Sequence, residues 1–303
     1  MITIIITSYD EVKATTNAVQ AILDQEIPDT YRIVIAEPFE DNIWELQETF
    51  KNHPDIEYYQ DEGKGKSHTL NHLIKKYYTT SPLDLFIFTD GDVYLGDRAI
   101  QELYNVFEDK TIGVVCGKPT SLNSRNTMLG YWSHLFFAEF NKTRKQRAAF
   151  NQFFEVSGYL FAMRNGIIQS FPEHASEDNV IPSLFWKQNY FIGYAEKAHV
   201  YVKNPTTYKD WVLQKKRNIK GHMALKKTNM ETSLRTSFFG EAFRGIKFVF
   251  SYPESMKELF WSITVLFARL HVWLLAFYET HFSKKQYKDG WREELTISTR
   301  TLS

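Results

Sequence analysis

Two carboxylates separated by one glycine, Asp90-Gly91-Asp92, close a short apolar run that begins at Leu85. The run is too short for a helix and suits a buried strand. In an open α/β sheet, ligands bind outside the carboxyl ends of the strands. With Gly91 letting the chain turn sharply, Asp90 and Asp92 can present hard oxygen ligands to Mg2+ or Mn2+, which in turn binds phosphate oxygens. A strand-ending turn without metal uses the same residue types.

Other segments carry related chemistry. Thr7, Ser8, Tyr9, Asp10 and Glu11 follow an apolar run at 2–6, and Glu37 ends a second run. Hydroxyls and carboxylates just past a strand end can bind a nucleotide's base and ribose, although helix caps and solvated loops look the same. Residues 61–71, Asp-Glu-Gly-Lys-Gly-Lys-Ser-His-Thr-Leu-Asn, set two glycines, Lys64 and Lys66 before a helical pattern. Glycine permits close backbone approach and a helix start aims N–H groups outward, which makes a diphosphate site, or alternatively a flexible turn before a helix. The spacing is not that of a Walker A loop. Ser176-Glu177-Asp178 precedes an apolar helical stretch. Ser and acids favour helix starts in any case, and a carboxylate fixed there can also serve as general base. Gln214-Lys215-Lys216-Arg217 reads either as a solvated helical face or as a cationic clamp on a diphosphate leaving group.

These residues need a scaffold that aligns strand ends. Strand patterns at 2–7, 32–36, 56–59, 85–88 and 111–116 alternate with helical spacing at 13–23, 43–50, 67–78 and 98–107. Such alternation implies right-handed crossovers and an α/β fold with a mainly parallel sheet and helices on both faces. Further strands are expected at 158–163 and 198–202, and a helix at 180–188. The chain turns basic and helical after Trp211, and a helical C-terminal region at 226–303 is expected to follow residues 1–225.

The 303 residues are 43% hydrophobic and 24% charged, as in a globular protein. Aromatics at 16% imply large buried faces or a surface that contacts sugar or lipid. Cys116 is the single cysteine, which rules out an internal disulfide and fits a reducing compartment. Residues 2–6 read as a strand, not a signal peptide. Net charge is zero, and with no recognised nucleic-acid module specific nucleic-acid binding is disfavoured. Charge is distributed unevenly: residues 1–62 hold fourteen acids and three bases, residues 209–247 ten bases and three acids. The basic segment suits an anionic membrane surface or a phosphate-bearing ligand, or forms a solvated face.

In this order, these segments resemble a family 2 glycosyltransferase with the Rossmann-like GT-A fold, over roughly residues 1–225. The first strand with Glu11, and Glu37, look like the family's nucleotide site. Gly65-Lys66-Ser67-His68-Thr69-Leu70-Asn71 looks like its glycine-lysine loop, and Asp90-Gly91-Asp92 like its Asp-x-Asp motif. Residues 157–164, ending in Arg164, are similar to its acceptor-side strand. Glu177-Asp178 matches its Glu-Asp pair, and Gln214 with Arg217 part of its Gln-x-x-Arg-Trp motif. Asn218 stands in place of the Trp, a departure from processive polysaccharide synthases. Ser8 stands where proline is common and Glu37 where Asp is usual. The resemblance implies an inverting, metal-dependent transfer of a hexosyl group from a UDP- or GDP-sugar to a glycan or lipid-linked acceptor. Asp178 would be the base, and Thr7, Ser8, Tyr9, Glu11, Glu37, Lys66, Asp90, Gln214 and Arg217 would hold the donor.

Two other functions are weighed against this one. A sugar-phosphate nucleotidylyltransferase normally carries a Gly- and Arg-bearing loop after its first strand, and Thr7–Glu11 has neither residue. A non-catalytic, membrane-bound scaffold would have no need of Asp90, Asp92 and Asp178. Residues 259–278 are apolar and long enough to cross a bilayer, but Arg269 lies near their centre. Glu258, Ser262 and Arg269 share a narrow polar stripe, which suits a helix lying in the membrane interface, or else a helix packed on the catalytic domain. Residues 243–250 offer a second such surface. The expected location is the cytoplasmic face of the cell membrane.

Overall fold

The structure, a computed structural model, describes residues 1–173, 176–225 and 238–281, and the side chains of all of these except 221–244 and 281. Eight strands form one sheet in the order β3-β2-β1-β4-β7-β6-β8-β5. They are β1 (Ile2–Thr7), β2 (Tyr31–Glu37), β3 (Ile56–Gln60), β4 (Leu85–Asp90), β5 (Val93–Leu95), β6 (Ile112–Ser121), β7 (Leu160–Arg164) and β8 (Phe191–Val202). The expected parallel arrangement holds for β3, β2, β1 and β4 and returns between β6 and β8. Between them β7 runs antiparallel to both β4 and β6, and at the edge β5 runs antiparallel to β8, so this half of the sheet is mixed.

Alternate residues along the strands feed two cores on opposite faces. Ile4 and Ile6 of β1 meet Val19 and Ile22 of α1 (Val12–Leu23), Leu46 of α2 (Glu40–Thr49) and Leu103 of α4 (Ala99–Val106). Ile5 points the other way, into a core with Leu70, Leu73 and Ile74 of α3 (Lys66–Lys76) and Ile181 and Phe185 of α6 (Glu177–Lys187). Helices on both faces are thus present.

A third core lies off the sheet. It joins Tyr131, Trp132 and Leu135 of α5 (Met128–Ala149) to Trp211 and Ile219 of α7 (Tyr208–Leu225) and Val265, Ala268, Val272 and Ala276 of α9 (Met256–His281). Phe248 and Val249 of α8 (Phe238–Ser251) pack against it. The 22-residue α5 is absent from the sequence expectation. Its first half is apolar on several sides and its second half basic, so no single 3.6-residue stripe marks it. Thr127 caps it, accepting a hydrogen bond from the Gly130 N–H at 3.2 Å.

The polar stripe of α9 faces inward, onto α5 and the loop before it. Glu258 accepts from Arg125 Nε at 2.7 Å, Ser262 is fully buried with its hydroxyl 2.6 Å from the Tyr131 hydroxyl, and the Arg269 guanidinium lies 5.7 Å from the centre of the Phe136 ring. Helical spacing had grouped these three residues correctly, but the partners that draw them inward sit on α5 and on the loop before it.

Candidate active site

β1 and β4 are parallel neighbours reached by connections leaving in opposite directions, so a crevice opens above their carboxyl ends. Thr7 and Asp90 end these strands in register, and the Thr7 hydroxyl donates to Asp90 Oδ1 at 2.9 Å. Gly91 follows with its N–H bonded to the Thr7 carbonyl at 2.8 Å. A Cβ at Gly91 would stand 2.6 Å from Thr15 Oγ1 and 3.2 Å from Ser8 Cβ. Glycine is therefore favoured here by the close approach of α1 and β1 as well as by the turn into β5. Asp92 then begins the return into β5. Burial raises the pKa of the neighbouring Tyr94, and the charges of Asp92 and Glu11 add to it.

Glu37 is fully buried at the end of β2. Its Oε2 accepts from the Ser8 hydroxyl at 2.6 Å, and its Oε1 from the Asp10 N–H at 3.2 Å and Asn42 Nδ2 at 3.2 Å. Ser8 Oγ also lies 2.7 Å from Thr15 Oγ1. Glu37 thus ties the loop after β1, where Asp10 has a left-handed φ of 55°, into one conformation. The Tyr9 ring stands edge-on to Phe39 at 5.4 Å, so two aromatics flank this loop. Asn42 and Thr15 carry no motif and were not singled out from sequence.

Gly65 precedes α3 with φ 112°, a conformation suited to glycine. The first helical residue is Lys66, whose ammonium lies 2.7 Å from Asp90 Oδ1 and 2.7 Å from Glu177 Oε1. Burial alone would lower the Lys66 pKa, but the carboxylates of Asp90 and Glu177 outweigh it and hold the group protonated. Burial raises the pKa of Glu177, the charges of Asp178 and Asp90 push the same way, and Lys66 opposes them.

Asp178 is the second residue of α6 and half-buried. The Ser176 hydroxyl donates to its Oδ1. A Cβ at Gly158 would stand 3.5 Å from both Asp178 Oδ2 and Glu177 Oε1, so the glycine leaves open the approach to both carboxylates. Pro182 lies inside α6, four residues past Asp178. Having no N–H, it cannot bond the Asp178 carbonyl as a helix would require. That carbonyl instead accepts the Val156 N–H at 3.2 Å, which fastens the start of α6 to the extended segment leading to Gly158. The role of Pro182 was not read from sequence, although its place four residues past Asp178 is a usable signal.

The structure therefore gathers Thr7, Asp90, Lys66, Glu177 and Asp178 at one end of the sheet, with Ser8 and Glu37 beside Thr7. Tyr9, Glu11 and Asp92 line the same strand ends. Gln214 and Arg217 stand apart on α7, which packs chiefly on α9, and Arg217 is exposed.

Among the described residues no three His, Cys, Asp or Glu side chains converge as a closed metal cage. Asp90 and Asp92 are nonetheless hard oxygen donors at an open strand end, which fits a cation that completes its shell with substrate phosphate and water.

A family model described as "Glycosyltransferase like family 2" matches residues 1–221. Among solved structures, a mannosyltransferase from Pyrobaculum calidifontis, in complex with GDP-Man and Mn2+, superposes with a TM-score of 0.62 at 14% identity, over 94% of this chain and 88% of that one. Residues 1–349 of TarS from S. aureus, in complex with UDP-GlcNAc, give a TM-score of 0.49 at 16% identity, over 89% of this chain and 81% of that one. No curated protein matches. With the match running from the first strand through most of α7, and with the GT-A fold shared, the chain belongs to glycosyltransferase family 2.

Proposed function

We propose that this glycosyltransferase moves a hexosyl group from a UDP- or GDP-sugar to a hydroxyl of a glycan or lipid-linked acceptor, in a single displacement that inverts the anomeric carbon. The observation that carries this is the chain of contacts from Asp90 through Lys66 to Glu177, with Asp178 next in line. It sets a pair of candidate metal ligands, a fixed cation and an accessible carboxylate around one crevice. The mannosyltransferase solved with GDP-Man and Mn2+ supports a nucleotide-sugar donor and a divalent ion here.

In this reading Ser8, Tyr9, Glu11 and Glu37 hold the nucleoside end of the donor, and Thr7 positions Asp90. Asp90 and Asp92 would hold Mg2+ or Mn2+, which when bound supplies stabilisation of charge on the departing diphosphate. Lys66 adds a fixed positive charge beside it, and Gln214 and Arg217 on α7 would meet the diphosphate only once the donor is bound. Asp178 Oδ2 takes the proton of the acceptor hydroxyl as its oxygen bonds to the anomeric carbon. The bond from that carbon to the diphosphate oxygen breaks, and its electron pair leaves with the nucleoside diphosphate. No covalent enzyme intermediate forms. The protein is expected to act at the cytoplasmic face of a membrane.

The test is a panel of nucleotide sugars with Mg2+ or Mn2+, read as nucleoside diphosphate released and as the anomeric configuration of the product. Release from one UDP- or GDP-sugar, lost in excess EDTA and in Asp92→Ala, supports the reading. Full activity in EDTA, or a product of retained configuration, refutes it.

A further inference from the structure

The outward face of α9 is a continuous apolar strip. Met256, Phe260, Ile263, Phe267, Leu270, Leu274 and Phe277 recur at alternating intervals of four and three residues, and all are exposed, Met256 by 79% and Phe267 by 69%. Tyr278 widens its far end at 57%. At a rise of about 1.5 Å per residue the strip is ~30 Å long. Exposed apolar surface of that extent marks an interaction site. α8 adds Ile246 and Phe250, both exposed, with Lys247 between them in sequence.

Charge decides what the strip meets. Every carboxylate of α9 is turned inward: Glu258 pairs with Arg125, and Glu279 with Lys216 and Lys220 of α7. Glu254, just before the helix, is exposed but is also held by Arg125, at 3.1 Å. Lys257 and Lys247 remain exposed beside the strip. A coiled-coil partner would use charged positions flanking the seam to set pairing. The flanking positions here are Lys257, Thr264, His271 and Tyr278 on one side and Leu259, Leu266, Trp273 and Thr280 on the other, without a carboxylate. One flank continues the apolar surface, which makes it a broad face instead of a narrow seam.

Composition alone would let residues 256–280 cross a membrane. Crossing would strip α9 from Arg125, Tyr131, Lys216 and Lys220 and carry Glu258, Arg269 and Glu279 into the lipid, which is strongly unfavourable. We infer that α9 lies in the plane of an anionic bilayer surface, its polar stripe bonded into the protein and its Phe-rich strip sunk in the lipid, with Lys247 and Lys257 at the headgroups. This deepens the proposed membrane setting of the acceptor, and it is testable without any sugar transfer.

The experiment is co-sedimentation of the full chain with vesicles of phosphatidylcholine and with vesicles of equal parts phosphatidylcholine and phosphatidylglycerol. The parent chain sediments with both, and more with the anionic ones. The variant Phe260→Ser/Phe267→Ser/Leu274→Ser lowers partition by at least about tenfold, with unchanged circular dichroism. Lys247→Glu/Lys257→Glu reduces partition to the anionic vesicles alone. A parent chain that stays in the supernatant, or a triple variant that sediments like the parent, overturns the inference. So does a dimer seen by light scattering that the triple variant dissociates while vesicles leave it untouched. Resistance of bound protein to carbonate extraction would show a spanning helix and overturn the in-plane geometry. Donor-dependent nucleotide release measured without vesicles is independent of all these outcomes, so failure here leaves the catalytic reading to its own test.

Discussion

Glu177 is buried with its charge fixed on Lys66 at 2.7 Å, whereas its neighbour Asp178 is half-exposed and carries the Ser176 hydroxyl on Oδ1, with Oδ2 toward Gly158. A general base needs an accessible lone pair within reach of the acceptor hydroxyl. Asp178→Asn is therefore expected to lower kcat by at least about 10²-fold with donor affinity nearly unchanged, measured by steady-state kinetics and titration of the donor. Glu177→Gln should act differently. It releases Lys66 from one carboxylate and weakens donor binding, so a dead Glu177→Gln beside a near-normal Asp178→Asn would reverse the assignment. Lys66→Met strands two carboxylates at once. Removing one partner of a buried pair typically costs about 3–5 kcal/mol, and the partial exposure of Lys66 places its cost at or below that lower bound. Urea unfolding of Lys66→Met, Glu177→Gln and the double variant forms a cycle. A coupling energy near zero would show that the contact contributes nothing to stability.

Within α6, one missing N–H sets the position of the proposed base, Asp178. Pro182→Ala restores the helical donor to the Asp178 carbonyl, which competes with Val156 for it. The expected result is a helix no less stable but a mispositioned Asp178: lower kcat, unchanged donor KM, and an unaltered or slightly raised melting temperature. In α9 the decisive contacts are its inward acids. Arg125 lowers the pKa of Glu258, and Lys216 with Lys220 lower that of Glu279 against the opposing effect of burial. Both folded values lie below the ordinary glutamate value of ~4.3, so their stabilisation is present above that pH and fades as pH falls through the folded values. Acid should therefore loosen α9 before the sheet unfolds. Fluorescence of Trp261 and Trp273 followed from neutral pH downward would show an early transition, moved to higher pH in Arg125→Met. A single transition shared with far-UV circular dichroism would exclude it.

These elements were unequally legible in the sequence. Asp90 and Glu37 could be read because buried parallel strands are unbroken apolar runs, and what ends them stands out. Glu177 and Asp178 could be placed at a helix start by residue type alone. The five-residue β7 was located, but its antiparallel direction depends on a connection through α5, which leaves no periodic signal. The inward turn of the α9 stripe depends on Arg125, Tyr131 and Phe136, more than a hundred residues away in sequence. Spacing reveals which residues share a face, while the partner that claims the face is a tertiary fact.

Across the whole molecule, the sheet divides the labour between a parallel half and a mixed half. β1, β2 and β4 bring Thr7, Glu37 and Asp90 to one end, and β7 with α6 brings Gly158 and Asp178 up to the same crevice. The off-sheet core adds a third part, because α9 holds α7 as well as its outward strip. Glu279 grips Lys216 and Lys220, and the Tyr208 hydroxyl lies 2.9 Å from His271 Nδ1 with the two rings stacked. Between these anchors, α7 carries Gln214 and Arg217, the groups proposed to meet the diphosphate from outside the sheet. If α9 sets the pose of α7, then Glu279→Gln/His271→Ala should raise the donor KM severalfold while leaving binding of the free nucleoside, held at the ends of β1 and β2, unchanged. Arg217→Met in the parent should raise KM in the same way, and adding it to the double variant should raise KM little further, since both act on one contact. Fully additive effects would mean that α7 is positioned independently of α9 and that Arg217 acts without the support of the C-terminal helix.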